Sequence, residues 1–236
     1  LFESFGLFRW PLSPYSDYSN FFGREFQELN IILGSRNNGN NQLAATLTGC
    51  ETIPLDVVHY DSLLDAYNQY KPDILIHAAG LSRPMDIHEK EIDISINNNI
   101  IGTCNVVKAC KKLKIKLIYL STSYVYPGLK GNYKETSPLL PYNNYAWSKL
   151  GGECAVQMYA NSLILRVCMT EKPFIHKFAF KDLITNFIFH EDVVKIFPKL
   201  IKKRGIINLG GKTKSVYNFA KKYNKNIKGI YSKKLL

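Results

Sequence analysis

From residue 30 to residue 211 the chain alternates short unbroken apolar runs with longer stretches whose apolar residues recur every three or four positions. Asn30–Gly34, Asp73–His77, Lys114–Leu120 and Ser162–Arg166 are runs of the first kind and predict strands, apolar on both faces. Asp61–Tyr70, Asn144–Tyr159 and Asp192–Leu200 are of the second kind and predict helices. So does a longer stretch that puts Ile96, Ile100, Cys104, Val107 and Cys110 on one stripe. Residues 169–191 show neither period and read as irregular, and Gly205–Gly211 reads as a last short strand with its turn. Strands buried on both faces and alternating with helices predict an α/β fold with a doubly wound parallel sheet. Ligands of such a sheet sit at the carboxyl ends of its strands.

Composition adds that a sizeable core is available, since 46% of the residues are apolar. No stretch reaches the roughly 18–20 uninterrupted apolar residues of a membrane span. Leu1–Tyr18 lacks the basic start and apolar core of a secretory signal, and the chain opens on Leu1, so an upstream start is expected. Cys50, Cys104, Cys110, Cys154 and Cys168 form no CxxC pair and no Cys/His cluster. They predict buried thiols in a reducing, cytoplasmic compartment and no metal site. The net charge of +12 raises nucleic acid as a partner. Much of the excess, however, falls in the Lys/Asn/Ile-rich tail from Lys199 to Lys234, and no nucleic-acid motif accompanies it. Neither nucleic acid nor a membrane is expected as a partner.

Chemistry enters at Tyr145-Ala-Trp-Ser-Lys149. Residues four apart share a helix face, so an ammonium can stand near the phenol and draw its pKa down from 10 towards the range of acid–base work. The spacing is common, and Tyr67/Lys71, Tyr126/Lys130 and Tyr217/Lys221 repeat it. Only Tyr145 follows, by about two dozen residues, a strand ending in hydroxyls, Ser121-Thr122-Ser123. There Thr122 can hydrogen-bond a substrate carbonyl that Tyr145 protonates. A surface tyrosine beside an ordinary turn would share this pattern.

The ordered set of motifs goes further. Lys71-Pro-Asp-Ile-Leu-Ile-His-Ala-Ala-Gly80 is similar to a PDxxINAAA strand and turn, and Asn99-Ile-Ile-Gly-Thr-Cys-Asn-Val-Val107 to NxxGTxNV. Leu120-Ser-Thr-Ser-Tyr-Val-Tyr-Pro-Gly128 resembles STDYVFxG, and Tyr142 to Glu153 resembles NxYGxSKLxGE. Leu163–Arg166, Phe187–Val193 and Gly205–Gly211 resemble later signatures of the same set. Together they resemble the extended short-chain dehydrogenase/reductase family, and within it the dTDP-4-dehydrorhamnose reductases and related sugar-nucleotide enzymes.

That resemblance implies a Rossmann-like dinucleotide-binding domain over residues 1–168, atypical in 1–29. A small substrate-binding lobe would follow over 169–236, with 205–211 returning to the sheet. It implies Thr122, Tyr145 and Lys149 as the catalytic set, with Asn99 supporting a proton relay. Asp56 and Val57 would lie near the adenine of NADP or NAD, and Ala78, Ala79 and Gly80 along the cofactor, where Lys149 and Tyr145 also reach. The reaction implied is reduction of the C4 ketone of a 4-keto-6-deoxy sugar nucleotide, in rhamnose-type polysaccharide synthesis. Thr122, Tyr145 and Arg83 would meet the substrate, and a second copy of the chain is a candidate partner. Arg36 stands where it can pair with a 2′-phosphate or be an exposed loop residue. His176, Lys177 and Lys181 are candidates for a diphosphate or a solvated basic loop.

One segment departs from the pattern. Read against TGxxGFLG, Ser16–Gly23 keeps only Gly23, with Asp17 and Asn20 at the other glycine positions, so the phosphate loop is expected to be degenerate or truncated. That leaves two other readings open: an epimerase or dehydratase on the same scaffold, and a binding or regulatory subunit without turnover. Ser123 after Thr122, where dehydratases carry an acid, counts against a dehydratase.

Overall fold

The computed structural model describes residues 31–36, 42–43, 45–46, 48–128, 131–170, 174 and 176–231. Gly23 and the rest of the segment read as a phosphate loop lie outside the described residues. In chain order, β1 (Ile32–Ser35) and β2 (Glu51–Pro54) are followed by α1 (Tyr60–Tyr70) and β3 (Ile74–His77). Two single-turn helices, α2 (Ile87–Lys90) and α3 (Ile92–Ser95), lead into a π-helical turn, Ile96–Ile101, and then α4 (Gly102–Leu113). β4 (Lys116–Thr122) comes next, then a 3₁₀ turn (Ser123–Val125), α5 (Asn144–Gln157) and β5 (Ser162–Val167).

Short elements follow: β6 (Met169–Thr170), β7 (Phe178–Phe180), β8 (Ile184–Thr185) and β9 (Ile188–Phe189). The chain closes with α6 (His190–Leu200), β10 (Gly205–Leu209), β11 (Lys214–Ser215), α7 (Val216–Tyr223) and β12 (Lys228–Ile230).

The sheet runs β10-β5-β4-β3, all parallel, and β1 and β2 form a parallel pair of their own. Its strands send alternate side chains to opposite faces. Leu75, Leu117, Tyr119 and Ile164 join a core with Leu63 and Tyr67 of α1 and Val106, Ala109 and Cys110 of α4. Ile76, Ile118, Leu163, Leu165 and Val167 join a second core with Val193, Val194, Phe197 and Leu200 of α6. Helices therefore cover both faces, which makes this the α/β, doubly wound arrangement and explains why β5 is buried along its whole length.

The helix ends follow local chemistry. α1 stops at Lys71, which takes a left-handed conformation (φ 44°) and returns its N–H to the Tyr67 carbonyl, just before Pro72. α5 starts at Asn143, whose side-chain oxygen accepts from the Ala146 N–H at 2.8 Å.

Two sequence expectations need correcting. The stripe from Ile96 to Cys110 assumed one regular helix. The π turn instead adds a residue to the winding and rotates what precedes α4. Asn98 and Asn99 turn inward, whereas Ile96 is 36% and Ile101 43% exposed. In α4 the buried face is Gly102, Thr103, Val106, Ala109 and Cys110. The stretch 169–191 is not wholly irregular either, because its two- and three-residue strands are too short to display a period. β6 pairs with β9, β7 with β12 and β8 with β11. Around them Phe219 of α7 packs against Phe174, Phe187, Phe189 and Tyr223, at ring distances of 5.2–6.3 Å.

Candidate active site

β4 is parallel to β3, so its carboxyl end lies on the same edge as the turn after β3. Thr122 closes β4 on that edge, and Ala78-Ala79-Gly80 follow β3 there. Thr122 is 6% exposed and its Oγ1 accepts the Tyr124 N–H at 3.2 Å. Thr122 also acts on the Tyr145 phenol, as a side-chain partner that favours its ionised form. Burial pushes the Tyr145 phenol up to about 12, and charge on Tyr124 pushes the same way. The Thr122 hydrogen bond and the Arg83 guanidinium pull it down, without prevailing. Tyr145 is therefore a neutral phenol at neutral pH, with its proton in place.

Lys149 departs from the expectation built on spacing. It is 6% exposed, and its Nζ lies 4.2 Å from the centroid of the Tyr119 ring. Burial pushes its amine down to about 7, while the Glu153 carboxylate raises it. Burial thus leaves the lysine only partly charged at neutral pH, and the groups that lower the Tyr145 phenol are Thr122 and Arg83. One helical turn does put both residues on the same helix face, but burial holds the phenol above its usual value.

Gly80 ties these groups to the turn after β3. Its φ of +150° suits glycine, and a Cβ there would stand 2.7 Å from Asn99 Oδ1 and 4.0 Å from Lys149 Nζ. Asn99 clamps this turn from the π-helical segment: its Oδ1 accepts the Leu81 N–H at 2.7 Å, and its Nδ2 donates to the Leu81 carbonyl at 2.9 Å and to Ser148 Oγ at 2.8 Å. Ser148 in turn donates to the Tyr145 carbonyl at 2.8 Å. The amide of Asn99 is thus fully engaged in holding the turn against α5. Its backbone carbonyl accepts from Thr103 Oγ1 at 2.7 Å, so the Thr103 oxygen must accept from His77 Nε2, 2.9 Å away. Gly152 leaves room for this cluster, because a Cβ on it would lie 2.6 Å from the Asn99 carbonyl oxygen and 2.8 Å from the Tyr119 hydroxyl.

The other sequence-named residues fall at varied distances from this centre. Arg36 follows β1 and Asp56 follows β2, and the two face each other at 3.8 Å across adjoining strand ends. Asp56 Oδ1 also accepts the Val58 N–H at 3.0 Å. Val57 and Ala79 are core residues, 2% and 4% exposed, so only their backbone can face a ligand. Arg83 is exposed, yet its charge acts on Tyr145, Tyr124 and His190. Lys177 and Lys181 flank β7: the Lys177 carbonyl accepts from Lys228, and Lys181 stands 5.5 Å from the rings of both Tyr217 and Tyr231. His176 packs on Phe174 at 5.1 Å.

Several neighbours escaped the sequence reading. Tyr124 lies 5.4 Å from the Tyr142 ring and 6.2 Å from that of Tyr145. His88, fully buried, packs edge-on to Tyr145 at 5.2 Å, with Nδ1 2.7 Å from Ser95 Oγ and its Nε2 unpartnered among the described residues. His190 opens α6, where burial and the Arg83 charge push it down to about 4. Only Glu153 left a signal that spacing could have caught, since it lies one helical turn beyond Lys149 on the same face. Among the described residues no His, Cys, Asp and Glu cluster could hold a metal ion, and no helix is long and apolar enough to cross a membrane.

The residues at the strand ends fit a dinucleotide. Gly80 offers a close backbone approach, a buried amine stands next to it, and Arg36 and Asp56 stand at the neighbouring strand ends.

Comparison with known proteins agrees with this geometry. The profile of the RmlD substrate binding domain matches residues 33–172. A dTDP-4-dehydrorhamnose reductase of Aggregatibacter actinomycetemcomitans is 29% identical over 168 residues, covering 68% of this chain and 52% of its own. The methionine adenosyltransferase 2 subunit beta of Xenopus laevis is 36% identical over 99 residues, 42% of this chain and 29% of its own. The chain thus spans about half or less of these relatives' lengths. The dTDP-4-dehydrorhamnose reductase of Bacillus anthracis, solved in complex with NADP, superposes with a TM-score of 0.70 at 24% identity, over 79% of this chain and 77% of that one.

Proposed function

The chain belongs to the RmlD substrate binding domain family, and on that premise we propose that it is an NAD(P)H-dependent reductase of a 4-keto-6-deoxy sugar nucleotide. The supporting observation is that the Thr122 hydroxyl, at the end of β4, acts on the Tyr145 phenol, with Lys149 one helical turn beyond Tyr145 and its amine near Gly80. In this reading residues 1–168 hold the cofactor and 169–236 the sugar nucleotide, with 205–211 in the sheet. Asp56 and Arg36 would hold the adenosine end, where Arg36 would meet a 2′-phosphate. The backbone of Ala78–Gly80 would line the dinucleotide, and Lys149 would meet its ribose. When bound, a nicotinamide supplies the hydride.

The chain's own residues do the rest. Thr122 orients the ketone oxygen by hydrogen bonding, and Tyr145, protonated at working pH, delivers a proton to that oxygen. Asn99 fixes the turn after β3 against α5, and Arg83 adds positive charge where the ketone oxygen becomes negative. A cytoplasmic setting in polysaccharide synthesis suits this chemistry.

Fluorescence titration with NADPH and NADH tests the reading, since failure of both to bind at millimolar levels would remove it. Tyr145→Phe, which deletes the proton alone, should lower kcat about 10²–10⁴-fold with the circular dichroism unchanged. Retention of most activity would defeat the assignment. A second reading, a binding subunit without turnover, is favoured by Asp17 and Asn20 in place of glycines and by the likeness to the methionine adenosyltransferase subunit. Cofactor binding without ketone reduction would select it.

A further inference from the structure

Behind the site lies a buried ion pair that the proposed chemistry leaves unused. Glu153 is 0% and Arg166 2% exposed. Arg166 holds both carboxylate oxygens, through Nε at 3.1 and 3.2 Å and through a short contact from Nη2. Ser121 Oγ donates to Oε2 at 2.7 Å. On its far side Arg166 Nη1 donates to the Tyr126 hydroxyl at 2.7 Å and to the Glu135 carbonyl at 3.0 Å. The Tyr126 hydroxyl passes its proton on to Asn208 Oδ1 at 2.8 Å. Such a pair gains little stability over apolar packing, because desolvation offsets the attraction. Its position suggests another use.

Glu153 follows Lys149 by one turn of α5, and both are inward-facing. Around Lys149 stand the Tyr119 ring of β4, His77 of β3 and, by way of Gly80, Asn99 of the π-helical turn, with Tyr145 one turn earlier on α5. Burial keeps Tyr119 and Tyr145 protonated and His77 unprotonated at neutral pH, so all three are uncharged there. Among the described residues, Glu153 is the group whose charge acts on Lys149.

We propose that Glu153 and Arg166 are positioning residues for Lys149: the carboxylate, fixed by Arg166 and Ser121, keeps the buried amine charged beneath the cleft, and Arg166 limits how far. The benefit to catalysis rests on the reductase reading, because a charged Lys149 would hold the ribose hydroxyls of the cofactor. The electrostatic coupling itself does not.

The test reads Lys149 directly, in the full chain without cofactor or substrate. Protein labelled with ¹⁵N-lysine is titrated from pH 5 to 10 by NMR, and Lys149→Met identifies the signal. Glu153→Gln should lower the Lys149 midpoint by about one pH unit. Arg166→Met, which leaves the carboxylate unneutralised, should raise it, and Glu153→Asp should restore a midpoint near that of the parent. A purely structural pair would shift both variants the same way or not at all, and either result overturns the proposal. If Glu153→Gln fails to fold by circular dichroism, the Arg166→Met arm decides alone, and a midpoint unmoved or lowered there is equally fatal. Because no nucleotide is present, absence of NAD(P)H binding would sink the functional reading without touching this result, and the reverse holds as well.

Discussion

Replacing Lys149 with methionine should make the protein more stable while removing its proposed function. The amine is 6% exposed and titrates near 7, against 10.5 in an unfolded chain. Each tenfold change in a proton equilibrium is worth about 1.4 kcal/mol, so keeping this group folded at pH 7 costs on the order of 4 kcal/mol. Methionine fills much of the same volume without a charge to desolvate. It forfeits the contact with the Tyr119 ring, worth about 0.5–2 kcal/mol. A net gain of about 2–4 kcal/mol should remain, or roughly 5–10 °C in Tm for a chain of this size.

The sign of the pH dependence is fixed. A lysine whose folded pKa is depressed penalises folding fully below that value, and the penalty fades as pH rises towards 10.5. Urea unfolding at intervals from pH 6 to 10, followed by tryptophan fluorescence and circular dichroism, should show the variant ahead by its largest margin at pH 7 and below. The margin should close towards pH 10. A variant equal to or less stable than the parent at pH 7, or a margin that widens in alkali, would refute the reasoning.

Two other outcomes follow from the same interior. His77 is fully buried and pushed down to about 3, so stability present above pH 6.5 should fall as pH drops towards 3, by up to about 4 kcal/mol. His77→Asn, which keeps a donor for Thr103, should flatten that slope in acid urea titrations, and an unchanged slope would show that other groups cause it. Gly152→Ala should destabilise by about 1–3 kcal/mol, because its methyl would meet the Asn99 carbonyl at 2.6 Å, and an unchanged urea midpoint would count against that packing.

The strands, the long helices and the parallel arrangement were legible because runs buried on both faces cannot be written any other way. That Thr122 closes a strand and that Tyr145 lies on the next long helix was legible from their order along the chain. The charge state of Lys149 was not. Spacing reports which helix face a residue occupies, and so could place Glu153 near Lys149, whereas the depth of burial that dominates the lysine's pKa is contributed by other parts of the chain. Arg36 and Asp56, both assigned to the cofactor, face one another, because sequence does not reveal that β1 and β2 end side by side. The cluster around Phe219 was hidden by strands of two and three residues and by a helix of two turns, where tertiary contacts and not local period decide the conformation.

The wide turn at Ile96–Ile101 has a consequence for how this chain can change. Removing one residue there other than Asn99 would let the segment rewind as an ordinary helix, carrying Asn99 about 100° around the axis and away from Leu81. Every side chain of the site would still be present, but the turn after β3 would lose its clasp. In this region a deletion is more damaging than a substitution, and the number of residues matters as much as their identity.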